Sequence, residues 1–295
     1  MSHHIAAGPL AWSGLLAVLA VMIVVDLKVG SAQRAMTVRT AATWSAVWVA
    51  LAVAFGAGLY LAEGAAAGQA YFAGYVMEKA LSLDNVFVFT LIFAALAVPR
   101  EEQPRVLLYG IVIALGLRAV FIFAGAEALH RYSWVAWPFA ALLAWTGWRI
   151  LASKGEHLEG ERIVTRIRRR FPRVQPAIAA VLAVALADVI FAVDSVPAIL
   201  AITTDTFIVF AANAFALLGL RALFFLVAGA VARFAYLQLA LGVLLIGIAG
   251  KLAYGEATGS KLAASVTLGA IAVVLTTAIG ASLLKERRAP TTQPR

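Results

Sequence analysis

The chain has 295 residues, of which 63% are hydrophobic and only 13% are charged, and its mean hydropathy is +0.93. A soluble domain carries about 25% charged residues, so the composition excludes an ordinary soluble protein and predicts a single membrane domain over 1–285. The chain has no cysteine, which excludes disulfides and thiolate metal ligands. The net charge of +9 is concentrated in a few connections, which argues against nucleic-acid binding.

Hydropathy predicts about nine membrane-spanning helices joined by mostly short connections. Their ranges are approximately 9–28, 42–62, 69–98, 105–128, 133–152, 176–201, 205–229, 234–254 and 261–284. The long connection 153–175 is strongly basic, and 286–295 is predicted to be a disordered tail. Lysine and arginine are concentrated in every second connection, which predicts a multi-pass protein of the cell inner membrane with its N-terminus outside and its C-terminus in the cytoplasm.

Two acidic motifs, in the third and sixth spans, repeat each other. The first reads Glu-Lys-Ala-Leu-Ser-Leu-Asp-Asn over 78–85, and the second reads Asp-Val-Ile-Phe-Ala-Val-Asp-Ser over 188–195. Each is followed by Gly-Leu-Arg, ending at Arg118 and at Arg221. Because three spans separate the copies, they run in opposite directions through the membrane. The sequence therefore predicts an all-α fold with an inverted three-helix repeat, an arrangement that transporters use to form a central ion site.

The spacing inside each motif leaves two alternatives. Residues six apart on an α-helix are rotated by about 240°, so the two acids of a motif do not share a face. Either they serve different partners, or the helix is broken between them, as Pro197 suggests for the second copy. Intramembrane acids indicate a functional site, and oxygen ligands suit hard cations such as Mg²⁺, Ca²⁺ and Mn²⁺.

The basic and polar residues of the spans have alternative interpretations. Arg118 and Arg221 form structural salt bridges, or they pair with an acid in the empty state and release it when a cation or proton binds. Lys79 acts in the same way or extends along its span towards the interface. Asp26 is an interfacial residue or part of the pathway, and Asn213 is an interhelical hydrogen-bonding residue or an accessory ligand.

The segments 74–89, 187–199 and 213–221 resemble the signatures of the TerC family of integral membrane proteins, and the resemblance covers roughly 15–285. Members are associated with tellurium resistance, several are regarded as manganese exporters, and the fold is related to the lysine-exporter group. The resemblance thus implies an inverted-repeat transporter. The metal site that it implies comprises Glu78, Asp84, Asn85, Asp188, Asp194 and Ser195.

Together these features predict a secondary transporter that exports a divalent cation, Mn²⁺ above all, by proton exchange. Protonation of a carboxylate would release the ion, because a carboxylate must be ionised to bind metal. The hypothesis includes no enzymatic activity and no resident cofactor. Its partners are the lipid bilayer, the metal cation and protons, and they do not include nucleic acid. The alternative hypothesis is a membrane partner or assembly component of a tellurite or metal stress-resistance complex that acts through the loop 154–173. An intramembrane hydrolase and a tellurium oxyanion transporter are weaker alternatives.

Overall fold

The computed structural model describes residues 7–32, 37–152, 164–165, 169, 175–227, 236–260 and 262–288, excepting the side chains of 29–32, 84 and 286–288. These residues form α-helices and contain no β-strand. In chain order the helices are α1 (Pro9–Ala32), α2 (Val38–Glu63), α3 (Ala65–Ala95), α4 (Gln103–Arg131), α5 (Ala136–Ala152), α6 (Pro176–Leu200), α7 (Thr206–Leu218), α8 (Leu220–Val227), α9 (Leu237–Thr258) and α10 (Ala264–Arg288). A short 3₁₀ turn, Ser133–Val135, precedes α5.

Local sequence explains where several helices begin. The Thr37 side chain accepts the Thr40 N–H at the start of α2, and the Asp205 carboxylate accepts two backbone N–H groups at the start of α7. Such N-caps satisfy donors that have no partner inside the helix. Gly64, with φ of 92°, separates α2 from α3, a conformation that glycine adopts readily.

Most of the helices are long and apolar enough to cross a membrane. Within the described ranges, seven meet this criterion, or eight if α7 and α8, which meet at an angle of 42°, are counted as one span. The predicted all-α polytopic architecture is therefore confirmed. The helix α3 is not among the seven, and it contains Glu78, Lys79 and Asp84. The count of nine spans and the inverted repeat stay predictions.

The helix α3 lies at the centre of the fold. It packs against α2, α6, α7, α8, α9 and α10, so its polar side chains meet other helices. Around it, α4 packs along α6, and α5 packs closely along α9. Gly147 and Gly242 allow α5 and α9 to approach this closely, since a Cβ on Gly147 would lie 2.7 Å from the Gly242 carbonyl oxygen.

The buried charges lie between two hydrophobic clusters. On α3, residues of the segment 67–75 belong to the first cluster and residues of 86–93 to the second. On α4 and α6 the order is reversed, with the second cluster reached first. Glu78, Arg118 and Asp188 each lie along their helix between residues of the first cluster and residues of the second. The helices α3 and α6, which carry the two motifs, therefore run in opposite directions.

The structure differs from two sequence expectations. The break expected at Pro197 does not occur, because α6 is continuous from Pro176 to Leu200. The break lies instead at Gly219, between α7 and α8. At the C-terminus α10 continues to Arg288, and the rest of the predicted tail lies outside the described residues, as does most of the connection 153–175.

Candidate functional site

Arg118 of α4 is the centre of a buried polar cluster. Its guanidinium binds the Asp188 carboxylate through two bonds, Nε to Oδ2 at 2.7 Å and Nη2 to Oδ1 at 2.9 Å. Its Nη1 also forms an ion pair with Glu78 Oε1. Arg118, Glu78 and Asp188 are each at most 1% exposed. A two-bond arginine–carboxylate contact fixes both position and orientation, so Arg118 links the acids of α3 and α6.

Two neutral side chains complete the surroundings of this guanidinium. Arg118 Nη1 donates to Ser195 Oγ and to Asn213 Oδ1, each at 3.1 Å. The Asn213 amide in turn donates to Glu78 Oε2 at 3.4 Å. Four helices, α3, α4, α6 and α7, therefore contribute to one cluster.

Helix periodicity explains how α6 supplies two of these groups. Asp188 and Ser195 are seven residues apart, which is close to two full turns of an α-helix, so they lie on one face. Glu78 and Asn85 have the same spacing on α3. The first acids of the two motifs thus meet at a single arginine, on faces that the repeat predicts to be equivalent.

The second acids of the motifs have other surroundings. Asp194 lies six residues after Asp188, on another face of α6, and its Oδ1 accepts a hydrogen bond from Thr146 Oγ1 of α5 at 2.8 Å. The side chain of Asp84 lies outside the described part of the chain. For the second motif, the alternative of two acids serving different partners therefore agrees with the structure.

Two further polar side chains lie on the Glu78 face of α3. Ser82 and Asn85 are buried, at 0% and 2% exposure. Within the described residues, Ser82 Oγ and Asn85 Nδ2 have no hydrogen-bond partner. A buried polar group without a partner costs free energy, about 1–3 kcal/mol. This face of α3 is therefore suited to receive a polar ligand such as water or a hydrated ion.

Arg221 of α8, the counterpart of Arg118 in the second copy, has a different partner. Its Nη2 donates to both the backbone carbonyl and the carboxylate Oδ1 of Asp26 on α1, each at 2.7 Å. Asp26 is only 4% exposed, so its side chain is enclosed by protein rather than by interfacial water. The pair joins α1 to the bent α7–α8 segment.

The side chain of Lys79, next to Glu78 on α3, extends towards the end of α7. Its Nζ donates to the Ala216 carbonyl at 3.1 Å, near the end of α7. The ammonium is therefore held by the protein rather than extended along its span to the interface. Lys79, Arg118 and Arg221 balance the formal charges of Glu78, Asp188 and Asp26.

Within the described residues, the structure brings together three members of the predicted metal set. Glu78, Asp188 and Ser195 meet at Arg118, together with the accessory residue Asn213. Among the described residues, no group of three or more histidine, aspartate or glutamate side chains forms a metal cluster. The metal role of the predicted residues stays a prediction. Sequence reasoning did not identify Thr146, because a single threonine in an apolar span gives no distinguishing signal.

Fold and cluster define a polytopic α-helical membrane protein with a buried network of ion pairs at its centre. Residues 63–290 match the model of the integral membrane protein TerC family. The chain belongs to the TerC family.

The relatives that the chain matches are membrane proteins of similar length. It is 40% identical to an uncharacterized membrane protein of Myxococcus xanthus, over 96% of this chain and 95% of that protein. It is 39% identical to the "putative membrane-bound redox modulator Alx" of Escherichia coli (strain K12), over 83% of this chain and 85% of that protein. An uncharacterized membrane protein of Rickettsia bellii is 32% identical over 82% of this chain. No solved structure matches the chain.

Proposed function

We propose that the protein is a secondary transporter that exports a divalent cation, Mn²⁺ in particular, in exchange for protons. The observation that carries this proposal is the set of atoms around Arg118. Five oxygen atoms accept hydrogen bonds or ion pairs from one guanidinium: two from Asp188 and one each from Glu78, Ser195 and Asn213.

These oxygens already face a cation. Carboxylate, hydroxyl and amide oxygens are the ligands that hard divalent ions prefer. If the guanidinium withdraws, the same lone pairs become available to a metal ion. Arg118 therefore acts as a built-in cation that occupies the site when the substrate is not bound, which is the gating interpretation of this residue.

Charge balance favours a divalent substrate and proton exchange. One divalent ion neutralises the two carboxylates of Glu78 and Asp188, and so do two protons. Protonation removes the charge that binds the metal, because only the ionised carboxylate is a ligand. Alternate occupation by a metal ion and by protons couples the two flows without a nucleotide.

The second acids provide a further position for the ion. Asp194 lies about 9 Å along α6 from Asp188, since six residues rise 1.5 Å each. Thr146 holds its carboxylate in place. An ion released from the Arg118 cluster would next meet Asp194 and, through the predicted repeat, Asp84.

The redox role in the name of the Alx relatives is not part of this proposal. The chain has no cysteine, and thiol–disulfide chemistry requires one. The complex-partner hypothesis depends on the loop 154–173, most of which lies outside the described residues.

The test compares intracellular manganese in cells that lack their own exporter and are challenged with Mn²⁺. Cells with wild-type protein should hold less manganese than cells with Glu78→Gln or Asp188→Asn. Glu127→Gln is the matched control, because Glu127 is an exposed acid near the end of α4 and should behave as wild type. Equal manganese in all strains, with each protein present in the membrane, would contradict the proposal.

A further inference from the structure

The break between α7 and α8 contains the side-chain ammonium of another helix. The Gly219 N–H donates to the Leu217 carbonyl only two residues back, so the α-helical ladder is interrupted there. Lys79 of α3 reaches this point, and its Nζ donates to the Ala216 carbonyl. The ammonium therefore lies at the C-terminal end of α7.

Glycine at position 219 provides the space for this ammonium. A Cβ added to Gly219 would lie 2.7 Å from Lys79 Nζ and 3.3 Å from Trp48 Cβ. Gly116 holds the equivalent position in the first copy, where an added Cβ would meet nothing within 4 Å. The continuous helix α4 contains Gly116. Only the second copy therefore has both a break and an occupant.

The end of a helix favours a positive charge. Its last carbonyls have no intrahelical partner, and the macrodipole places partial negative charge there. In transporters with broken helices, such half-helix ends bind monovalent cations. Here the cation is attached to the protein.

We propose that the α7–α8 break is a monovalent-cation site, that Lys79 is its permanent occupant, and that it accepts a small alkylammonium or alkali cation once this lysine is shortened. The site lies apart from the Arg118 oxygens, because Lys79 and Glu78 point in different directions from adjacent positions on α3. Occupation of the break holds two segments in place: α7, which carries Asn213, and α8, which carries Arg221.

One consequence rests on the proposed transport function. Lys79 already neutralises the C-terminal end of α7, which would otherwise need a mobile ion. The transport rate of the wild-type protein should therefore not depend on Na⁺ or K⁺. The binding site itself does not depend on transport, and its test uses no transport assay.

The test measures thermal unfolding of purified Lys79→Ala in detergent. Propylammonium contains the three carbons and the ammonium group that this substitution removes. We expect it to raise the unfolding temperature of Lys79→Ala by a few degrees, saturably. Choline chloride at equal ionic strength and 1-propanol should not do so. Wild-type protein and Gly116→Ala should respond equally weakly to all three additives.

Lys79→Ala can also fail to fold without an ion. Purification in propylammonium and in choline then becomes the comparison, and recovery of monodisperse protein only in propylammonium supports the proposal. Gly219→Ala supplies a second test, because its methyl group displaces the ammonium and also fills the site. This variant should be less stable than Gly116→Ala and should not respond to propylammonium. A Lys79→Ala protein that behaves identically in propylammonium and choline would overturn the proposal.

Discussion

The two Gly-Leu-Arg segments have the same local sequence and form different structures. In the first copy α4 is continuous, and Arg118 binds two carboxylates from the two acidic motifs. In the second copy the helix is broken before Arg221, whose partner among the described residues is Asp26 of α1. The packing partners of each helix, and not the arginine itself, therefore decide which arginine is surrounded by carboxylates from both motifs.

A further difference lies in how completely each guanidinium is bound. All three nitrogens of Arg118 have oxygen partners. Arg221 Nε has no hydrogen-bond partner among the described residues. The guanidinium of Arg118 is therefore bound by oxygen atoms at every nitrogen, whereas Arg221 joins α1 to α8 through Asp26.

The largest effect should follow removal of the arginines. Arg118→Gln leaves two buried carboxylates without their partner, and Arg221→Gln leaves one. Breaking a buried ion pair costs about 3–5 kcal/mol, so we expect Arg118→Gln to lower the unfolding temperature of the purified protein more than Arg221→Gln. Arg131→Gln, at the exposed end of α4, is the control. Equal losses for Arg118→Gln and Arg221→Gln would remove the distinction between the two sites.

The second effect separates substrate binding from anchoring. Asp188→Asn removes charge from the Arg118 shell and should abolish Mn²⁺ efflux from loaded proteoliposomes. Asp26→Asn weakens only the anchor, so the protein that remains folded should retain efflux. The measurement is the initial efflux rate per reconstituted molecule. Loss of efflux in Asp26→Asn, with normal rates in Asp188→Asn, would reverse the assignment of the two sites.

The smallest effect concerns the second acid. Thr146→Val removes the hydroxyl that donates to Asp194 but retains a similar shape. A hydrogen bond to a charged group contributes about 1.5–3 kcal/mol. Because other groups can replace this donor, we expect the free energy of unfolding to fall by the lower end of that range. Mn²⁺ efflux should fall modestly, and by less than in Asp188→Asn. If Thr146→Val abolishes efflux, then Asp194 rather than the Arg118 cluster is the main site.

The sequence predicts the members of the Arg118 cluster as candidates, because intramembrane charges are rare and their spacing can be read directly. These candidates are Glu78, Asp188, Arg118 and Ser195, with Asn213 as an accessory residue. Which acids would meet which arginine could not be predicted, because equivalent residues in the two copies offer the same chemistry. The pairing depends on how α1, α4 and α6 pack.

The position of the helix break, likewise, could not be predicted from the sequence. Pro197 is a strong local signal for a break, yet α6 remains helical through it, and the turn around it, 195–200, is buried against neighbouring helices. Gly219 has the same sequence neighbours as Gly116, so no local pattern distinguishes them. The contact that accompanies the break comes from Lys79, which is distant in the chain.

The oxygens around Arg118 are the proposed binding site for a divalent cation. Equilibrium Mn²⁺ binding to the purified protein, followed by electron paramagnetic resonance, tests this proposal. We predict saturable binding by the wild-type protein, binding at least about tenfold weaker in Asp188→Asn, as expected for about 1.4 kcal/mol, and unchanged binding in Asp26→Asn. Wild-type affinity in both Glu78→Gln and Asp188→Asn would contradict the account.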